Sequence, residues 1–233
     1  MKHYFIAGLR VAMKSFGRTL VQAGAYEIPV TDEPDIVIHS DPEKLQASCP
    51  YLSLDSCEYL CTGASFYTQL LLHNGIMLHS SCVVVDGRAY LFTAPSGTGK
   101  STHTDLWLKM FGNRAYILND DKPALRLEDG VWFAYGTPWS GKYDISRNER
   151  VPVAGIAVLN RGSDNQIIPY TGFKAITAIL DQMMRPPGEE YRVRILETLD
   201  KLLSSVPVWK LTCNMESAAA AVAYRAMSGR EGE

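Results

Sequence analysis

The chain has 233 residues, 46% of them hydrophobic, enough to bury one sizeable core and near the upper end for a single compact domain. A formal net charge of -2 and a pI near 6.2 give no general attraction to nucleic acid or anionic lipid, both of which need clustered Lys and Arg. No stretch approaches the roughly 18 consecutive apolar residues of a bilayer-spanning helix, and Cys49, Cys57, Cys61, Cys82 and Cys213 are odd in number and scattered, which fits reduced cytoplasmic thiols better than a disulfide framework.

The opening "MKHYFIAGLRVAMK" alternates polar and apolar residues and has no small-residue cleavage site, so residues 3–14 read as a strand and not as a signal peptide. "EPDIVIHSD" predicts a second strand from Asp35 to His39. Residues 64–74 have helical spacing, with Gly75 as the expected C-cap. "IMLHSSCVVVDGRAYLFTAP" predicts two strands joined at Asp86-Gly87, and "TAPSGTGKST" leads into a helix running to Phe111. "RAYILNDD" is a buried strand ending in acids, and "KPALRLEDGVWFAYGTPW" is a hairpin around Asp129-Gly130. After the strand "VPVAGIAVLNRG" come helices over 173–184 and 189–204, separated by "RPPG", then the strand "VPVWKLTC" and a closing helix in "MESAAAAVAYRAM". The tail "SGREGE" reads as loose. Hairpins and helices around a central glycine-rich loop predict an α/β fold with a mixed sheet. Residues 1–74 are expected to form an N-terminal α/β segment packed on a core of residues 75–228, together one compact unit.

The strongest chemical signal is "SGTGKST". Wrapping phosphate requires backbone at positive φ with several N–H groups turned inward, a freedom that Gly97 and Gly99 supply. Ser96, Gly97, Thr98, Gly99, Lys100, Ser101 and Thr102 are therefore the expected nucleotide-phosphate loop. In it Lys100 would reach the β- and γ-phosphates, the Ser101 hydroxyl would ligate Mg²⁺, and the new helix would turn its positive end to the same charge. The usual pattern begins with Gly where this chain has Ala94, which requires residue 94 to keep φ negative.

Phosphoryl transfer also needs a carboxylate for the metal and a group that orients or deprotonates the acceptor. "YILNDDK" offers Asp120 and Asp121 at the end of an apolar strand; the competing reading is an Asx turn leading into Lys122-Pro123.

Three segments in order, His79 in "MLHSSCVVVDG", then "SGTGKS", then the acids in "LNDD", resemble the HPr kinase/phosphorylase family, whose catalytic domain shares its phosphate-loop core with phosphoenolpyruvate carboxykinase. The resemblance covers residues 75–125. It implies Asp120 as general base, Asp121 as a metal-side carboxylate and His79 hydrogen-bonded near the base, with ATP and Mg²⁺ as cofactors, and it implies homo-oligomers. The family's larger N-terminal domain and its Glu-Ile-Arg-Gly segment have no counterpart here, so neither a phosphorylase activity nor HPr as substrate carries over. Gly136-Thr137-Pro138-Trp139 stands in that place and resembles a short branch of HPr-kinase-like serine kinases, some associated with peptide modification.

Taken without the resemblance, His79 is a lone His on an apolar strand and reads as a core histidine. "GTPWSGKYDISRNER", with Lys142, Arg147 and Arg150, reads either as a mobile loop closing over phosphate or substrate or as an exposed turn. Arg161 and Arg185 could neutralise developing phosphoryl charge but read first as surface residues; His103 reads as packing, and Leu106, Trp107 and Phe111 as a core stripe. Cys57 and Cys61 lack the second ligand pair of a zinc site. The function expected is an ATP- and Mg²⁺-dependent kinase acting on a serine hydroxyl of a protein, peptide or free amino acid. The alternatives are a nucleotide-binding sensor without transfer activity and, last, a carboxykinase-like enzyme.

Overall fold

The computed structural model describes residues 1–30 and 33–229. The N-terminal stretch that reads as one strand is a hairpin of β1 (Lys2–Ile6) and β2 (Leu9–Met13), because Ala7 and Gly8 both take positive φ (51° and 76°) and turn the chain back on itself. Helix α1 (Gly17–Gln22), β3 (Glu27–Ile28) and β4 (Ile36–Ile38) follow, and the strands form a four-stranded sheet in the order β3-β1-β2-β4. Neither α1 nor α2 (Pro42–Ser48) has enough periodicity to be read in advance; α2 is defined by Asp41, which accepts a bond from Lys44 N at 3.0 Å.

Helix α3 (Leu54–Leu70) begins well before the expected residue 64, since Ser53 caps it by accepting from Ser56 N at 3.1 Å. Its end is turned by Asn74, in the left-handed region at φ 54°, and not by Gly75. Gly75 opens β5 (Gly75–Met77), where an added Cβ would lie 2.7 Å from side-chain atoms of both Arg126 and Leu70. The first of the two strands expected in this stretch is divided between β5 and β6 (Ser80–Val85); β6 and β7 (Arg88–Thr93) meet at Asp86-Gly87 as expected, and α4 (Lys100–Phe111) follows the glycine-rich loop. The remaining elements are β8 (Ala115–Asn119), the hairpin β9 (Ala124–Glu128) and β10 (Val131–Tyr135), β11 (Arg150–Arg161), β12 (Gln166–Pro169), α5 (Gly172–Leu180), α6 (Glu189–Ser205), β13 (Val208–Cys213) and α7 (Ser217–Ser228). Strand β12 was not expected; it is a short edge strand paired with β13. Of the tail, residues 230–233 lie outside the described residues.

The larger sheet is mixed and nine-stranded, with β5-β9-β10-β11-β7-β6-β8 in order and β13 joined to β11. Strand β11 runs parallel to both β7 and β13, while the hairpins supply the antiparallel pairs. Both faces are covered, and strand periodicity divides the side chains between them. Val83, Val85, Tyr90 and Phe92 pack with Trp107 of α4 and Ala219, Ala220 and Ala223 of α7. Cys82, Val84, Ala89 and Leu91 point the other way, toward Ile179 of α5 and Leu199 and Leu202 of α6. Leu106 and Phe111 are only partly buried at the edge of the first layer, so Trp107 alone carries the expected helix stripe inward.

A third cluster joins the small sheet to the large one: Tyr4, Ile6, Val11 and Met13 pack with Phe66 and Tyr67 of α3 and with Tyr135 and Trp139. Trp139 is fully buried, stacks on Phe66 at 4.8 Å between ring centres, and donates from Nε1 to Thr62 Oγ1 at 3.2 Å. The segment read as either a mobile loop or an exposed turn is thus divided. Residues 136–140 are a buried anchor, and residues 142–145 are exposed. Gly136 is required there, because an added Cβ would meet Arg147 O at 1.9 Å.

Trp139→Ala should therefore destabilise the protein by about 3–5 kcal/mol, the usual cost of emptying a buried aromatic site. Urea denaturation measures this, and a loss below about 1 kcal/mol would show that the small sheet is not tied to the large one through this ring.

Candidate functional site

Strand β7 ends at Thr93 and α4 begins at Lys100, so residues 94–99 form the connection at the sheet's edge. Gly97 (φ 78°) and Gly99 (φ 115°) carry the positive-φ turns. Space is open beyond both, so φ and not crowding demands glycine. Ala94 is buried and is not among the residues at positive φ, which meets the condition set by its replacing glycine. Lys100 is folded back under the loop: Nζ donates to Ala94 O at 2.9 Å and Pro95 O at 3.4 Å, and burial lowers its pKa against the pull of Asp121 and Asp120.

The acids sit where β8 ends. The buried Asn119 side chain accepts from Asp121 N at 3.0 Å and Lys122 N at 2.8 Å and donates to Thr137 O at 3.0 Å. This is the Asx turn expected before Lys122-Pro123, and it sends the successive carboxylates in different directions. Asp120 faces α4: it accepts from Ser101 Oγ at 3.0 Å and from Ser81 Oγ at 2.6 Å. Asp121 faces His79, whose Nε2 lies 3.4 Å from Oδ1, and its other oxygen meets the Lys122 ammonium. The other ring nitrogen of His79, Nδ1, lies 3.2 Å from Gln182 Oε1.

Their electrostatics differ accordingly. Burial raises the pKa of Asp120, and the two hydroxyl bonds offset this only in part. Burial also pushes Asp121 upward, but the bond from His79 and the charge of Lys122 outweigh it and leave Asp121 below the ordinary carboxylate value.

His79, Lys100, Ser101, Asp120 and Asp121 line one cleft of about 1080 Å³ together with Ser96, Thr98 and Thr102, the wall Ser140–Tyr143, and Arg161. Arg161, at the end of β11, lies in the cleft and not on open surface: it donates from Nε to Thr98 O at 3.0 Å and from Nη2 to Gly97 O at 2.5 Å. Of the three cations in the following turn, only Lys142 reaches the rim, with Nζ 4.6 Å from the Tyr143 ring centre. Arg147 lies instead over the Tyr116 ring at 4.1 Å, and Arg150 pairs with Glu128 at 2.7 Å and lies over Phe133. Pairing of Arg150 with Tyr135 across β10 and β11 carries that part of the chain away from the cleft. Arg185, also weighed as a phosphoryl partner, lies 3.8 Å from Asp181 and is absent from the lining.

Sequence reasoning missed Ser81 and Gln182. Ser81 was the more legible, a polar residue inside an apolar strand that proves fully buried; Gln182 is brought to His79 only by the chain after α5. His103 packs: its Nε2 accepts from Trp107 Nε1 at 3.1 Å, with Cys213 Sγ 3.7 Å from Nδ1.

The oxygen donors Ser101 and Asp120, 3.0 Å apart, suit a hard cation such as Mg²⁺, which takes few protein ligands and completes its shell with water and phosphate. Among the described residues no group of three or more His, Cys, Asp or Glu is placed to hold a metal by itself. No helix among them is long and apolar enough to cross a membrane.

No family model matches the chain, and no curated protein matches it in sequence. Among solved structures it is distantly similar to the Hpr(Ser) kinase/phosphatase from Coxiella burnetii, with a TM-score of 0.40 and 11% identity, covering 67% of this chain and 99% of that one.

Burial lowers the pKa of His103 from its ordinary 6.5 to about 4. The unfolded chain therefore binds the proton first, so this residue's contribution to stability is complete above about pH 6.5 and declines as pH falls toward 4. Denaturant titrations across that window should show His103→Gln losing less stability than the parent on acidification, by roughly 3 kcal/mol in all at about 1.4 kcal/mol per pKa unit. Parallel curves would mean that His103 is not held neutral.

Proposed function

We propose that this chain is an ATP- and Mg²⁺-dependent phosphotransferase whose acceptor is a hydroxyl, most simply that of serine in a protein, a peptide or the free amino acid. The observation that carries the reading is the bond from Ser101 to Asp120, which joins the start of α4 to the acid pair inside a cleft that also contains Lys100, His79 and Arg161. A helix N-terminus, a glycine-rich loop, a lysine, a hydroxyl and paired carboxylates converging in one cleft are the donors and charges that phosphoryl transfer requires.

The hydrogen bonds support a division of roles opposite to the one implied by the resemblance. Asp121 already has counter-charge in Lys122 and a partner in His79, whereas the Asp120 carboxylate accepts from the hydroxyls of Ser81 and Ser101. A cation therefore gains most beside Asp120 and Ser101. Magnesium bound there supplies positive charge to the donor phosphates. Asp121, kept ionised and oriented by His79, takes the proton of the acceptor hydroxyl as its oxygen bonds to the γ-phosphorus and the bond from that phosphorus to the β,γ-bridging oxygen breaks, releasing ADP. Lys100 and Arg161 leave the loop carbonyls and turn to the phosphate oxygens, exchanging neutral acceptors for anionic ones.

The test is transfer of labelled γ-phosphate to serine-bearing acceptors, with nucleotide binding measured separately. Lys100→Ala should weaken ATP binding by about tenfold or more. Asp121→Asn should retain ATP binding and lose about 10²–10⁴-fold in turnover. Asp120→Asn should instead lose the dependence of ATP affinity on Mg²⁺. ATP binding with no transfer to any hydroxyl would favour a nucleotide sensor, and loss of the Mg²⁺ effect in Asp121→Asn but not in Asp120→Asn would restore the opposite assignment.

A further inference from the structure

Gly141 forms the wall of the cleft beside the acid pair, and its backbone is held from outside the large sheet. Its N–H donates to Tyr59 Oη at 3.0 Å, and its carbonyl accepts from Gln22 Nε2 at 3.0 Å. Both supports are well buried, Gln22 at 5% and Tyr59 at 4% exposure. Gly141 stands at φ +76°, so close to Asp121 that an added Cβ would lie 3.1 Å from the Asp121 Cβ and 3.4 Å from its Cγ. A side chain at 141, or a shift of this backbone toward the acid, would therefore press on Asp121.

Gln22 lies on α1 and Tyr59 on α3, and these helices are fastened to each other. Arg18 N donates to Asp55 Oδ1 at 2.7 Å, Thr19 donates to the buried Glu58, and the Arg18 guanidinium lies 3.8 Å over the Tyr59 ring. Farther along the turn, Tyr26 donates to Ser146 Oγ at 3.0 Å. None of these contacts is needed merely to close the turn, which could remain solvated as exposed turns usually do.

We infer that Gln22 and Tyr59 are positioning residues for Asp121: acting through Gly141, they make the N-terminal segment part of the catalytic apparatus without touching nucleotide or acceptor. The catalytic consequence rests on the phosphotransferase reading, while the mechanical link from Gln22 and Tyr59 to the turn does not.

The full-length protein with Gln22→Leu, Tyr59→Phe and both changes tests each part. Amide exchange across residues 141–146, and the rate of tryptic cleavage after Lys142, should rise by about tenfold in the double variant, the order set by losing a hydrogen bond or two. In the same variant kcat should fall about tenfold or more with KM for ATP within about twofold, because the phosphate loop is untouched. Gly141→Ala, which crowds Asp121 and strains the backbone at φ +76° on which both supports act, should reproduce that split. Unchanged exchange and cleavage would overturn the link. A loosened turn with full kcat in an active enzyme would overturn the positioning role. An inactive parent protein with a loosened turn in the variant would refute the phosphotransferase reading and with it the positioning of a catalytic Asp121, leaving only the mechanical link.

Discussion

The candidate site depends on one buried amide. Asn119 closes a turn with its oxygen and anchors it to Thr137 with its nitrogen, so that consecutive aspartates leave the end of β8 in different directions. A buried amide with its donor and acceptor both engaged is costly to rearrange, because any other conformation leaves polar atoms unpaired away from water. That rigidity lets Asp120 meet the hydroxyls of Ser81 and Ser101 while Asp121, one residue on, meets His79 and Lys122. Two carboxylates so close in sequence acquire opposite pKa shifts from their surroundings, which is how one fold obtains distinct roles from the same chemical group.

The elements around this turn are arranged to protect it. Strands β6 and β7 are buried on both faces, which places Ser81 and the start of the glycine-rich loop on a stiff support. Trp139 anchors residues 136–140 among Phe66 and Tyr67, so the wall beyond it begins from a fixed point. Lys100 and Arg161 both bond to carbonyls of the loop, an arrangement that keeps two cations beside the cleft with their donors satisfied by neutral acceptors. An anion entering there meets charges already positioned and exchanges weaker partners for a stronger one.

The glycine-rich loop, the acid pair and the order of most strands and helices were legible in the chain. Each rests on a local signal: positive-φ residues at Gly97 and Gly99, Asp-Gly turns between alternating runs, and an apolar strand ending in acids. The elements that escaped were those with short or interrupted periodicity, α1, α2, β3 and β12, and the early start of α3 at its Ser53 cap. The cationic cluster of residues 142–150 was legible as charge but not as direction. Strand register decided that Lys142 reaches the cleft rim while Arg147 and Arg150 pack over aromatic rings.

By itself the sequence determined that a flexible, hydroxyl-bearing loop precedes a helix and that paired carboxylates follow an apolar strand, because turn chemistry and periodicity act over a few residues. Only the tertiary structure decided which acid meets Ser101, that Gln182 stands behind His79, and that Gln22 and Tyr59 hold Gly141. Those contacts join residues far apart in the chain, and their partners are selected by packing and by the need to pair every buried polar group, neither of which leaves a local trace.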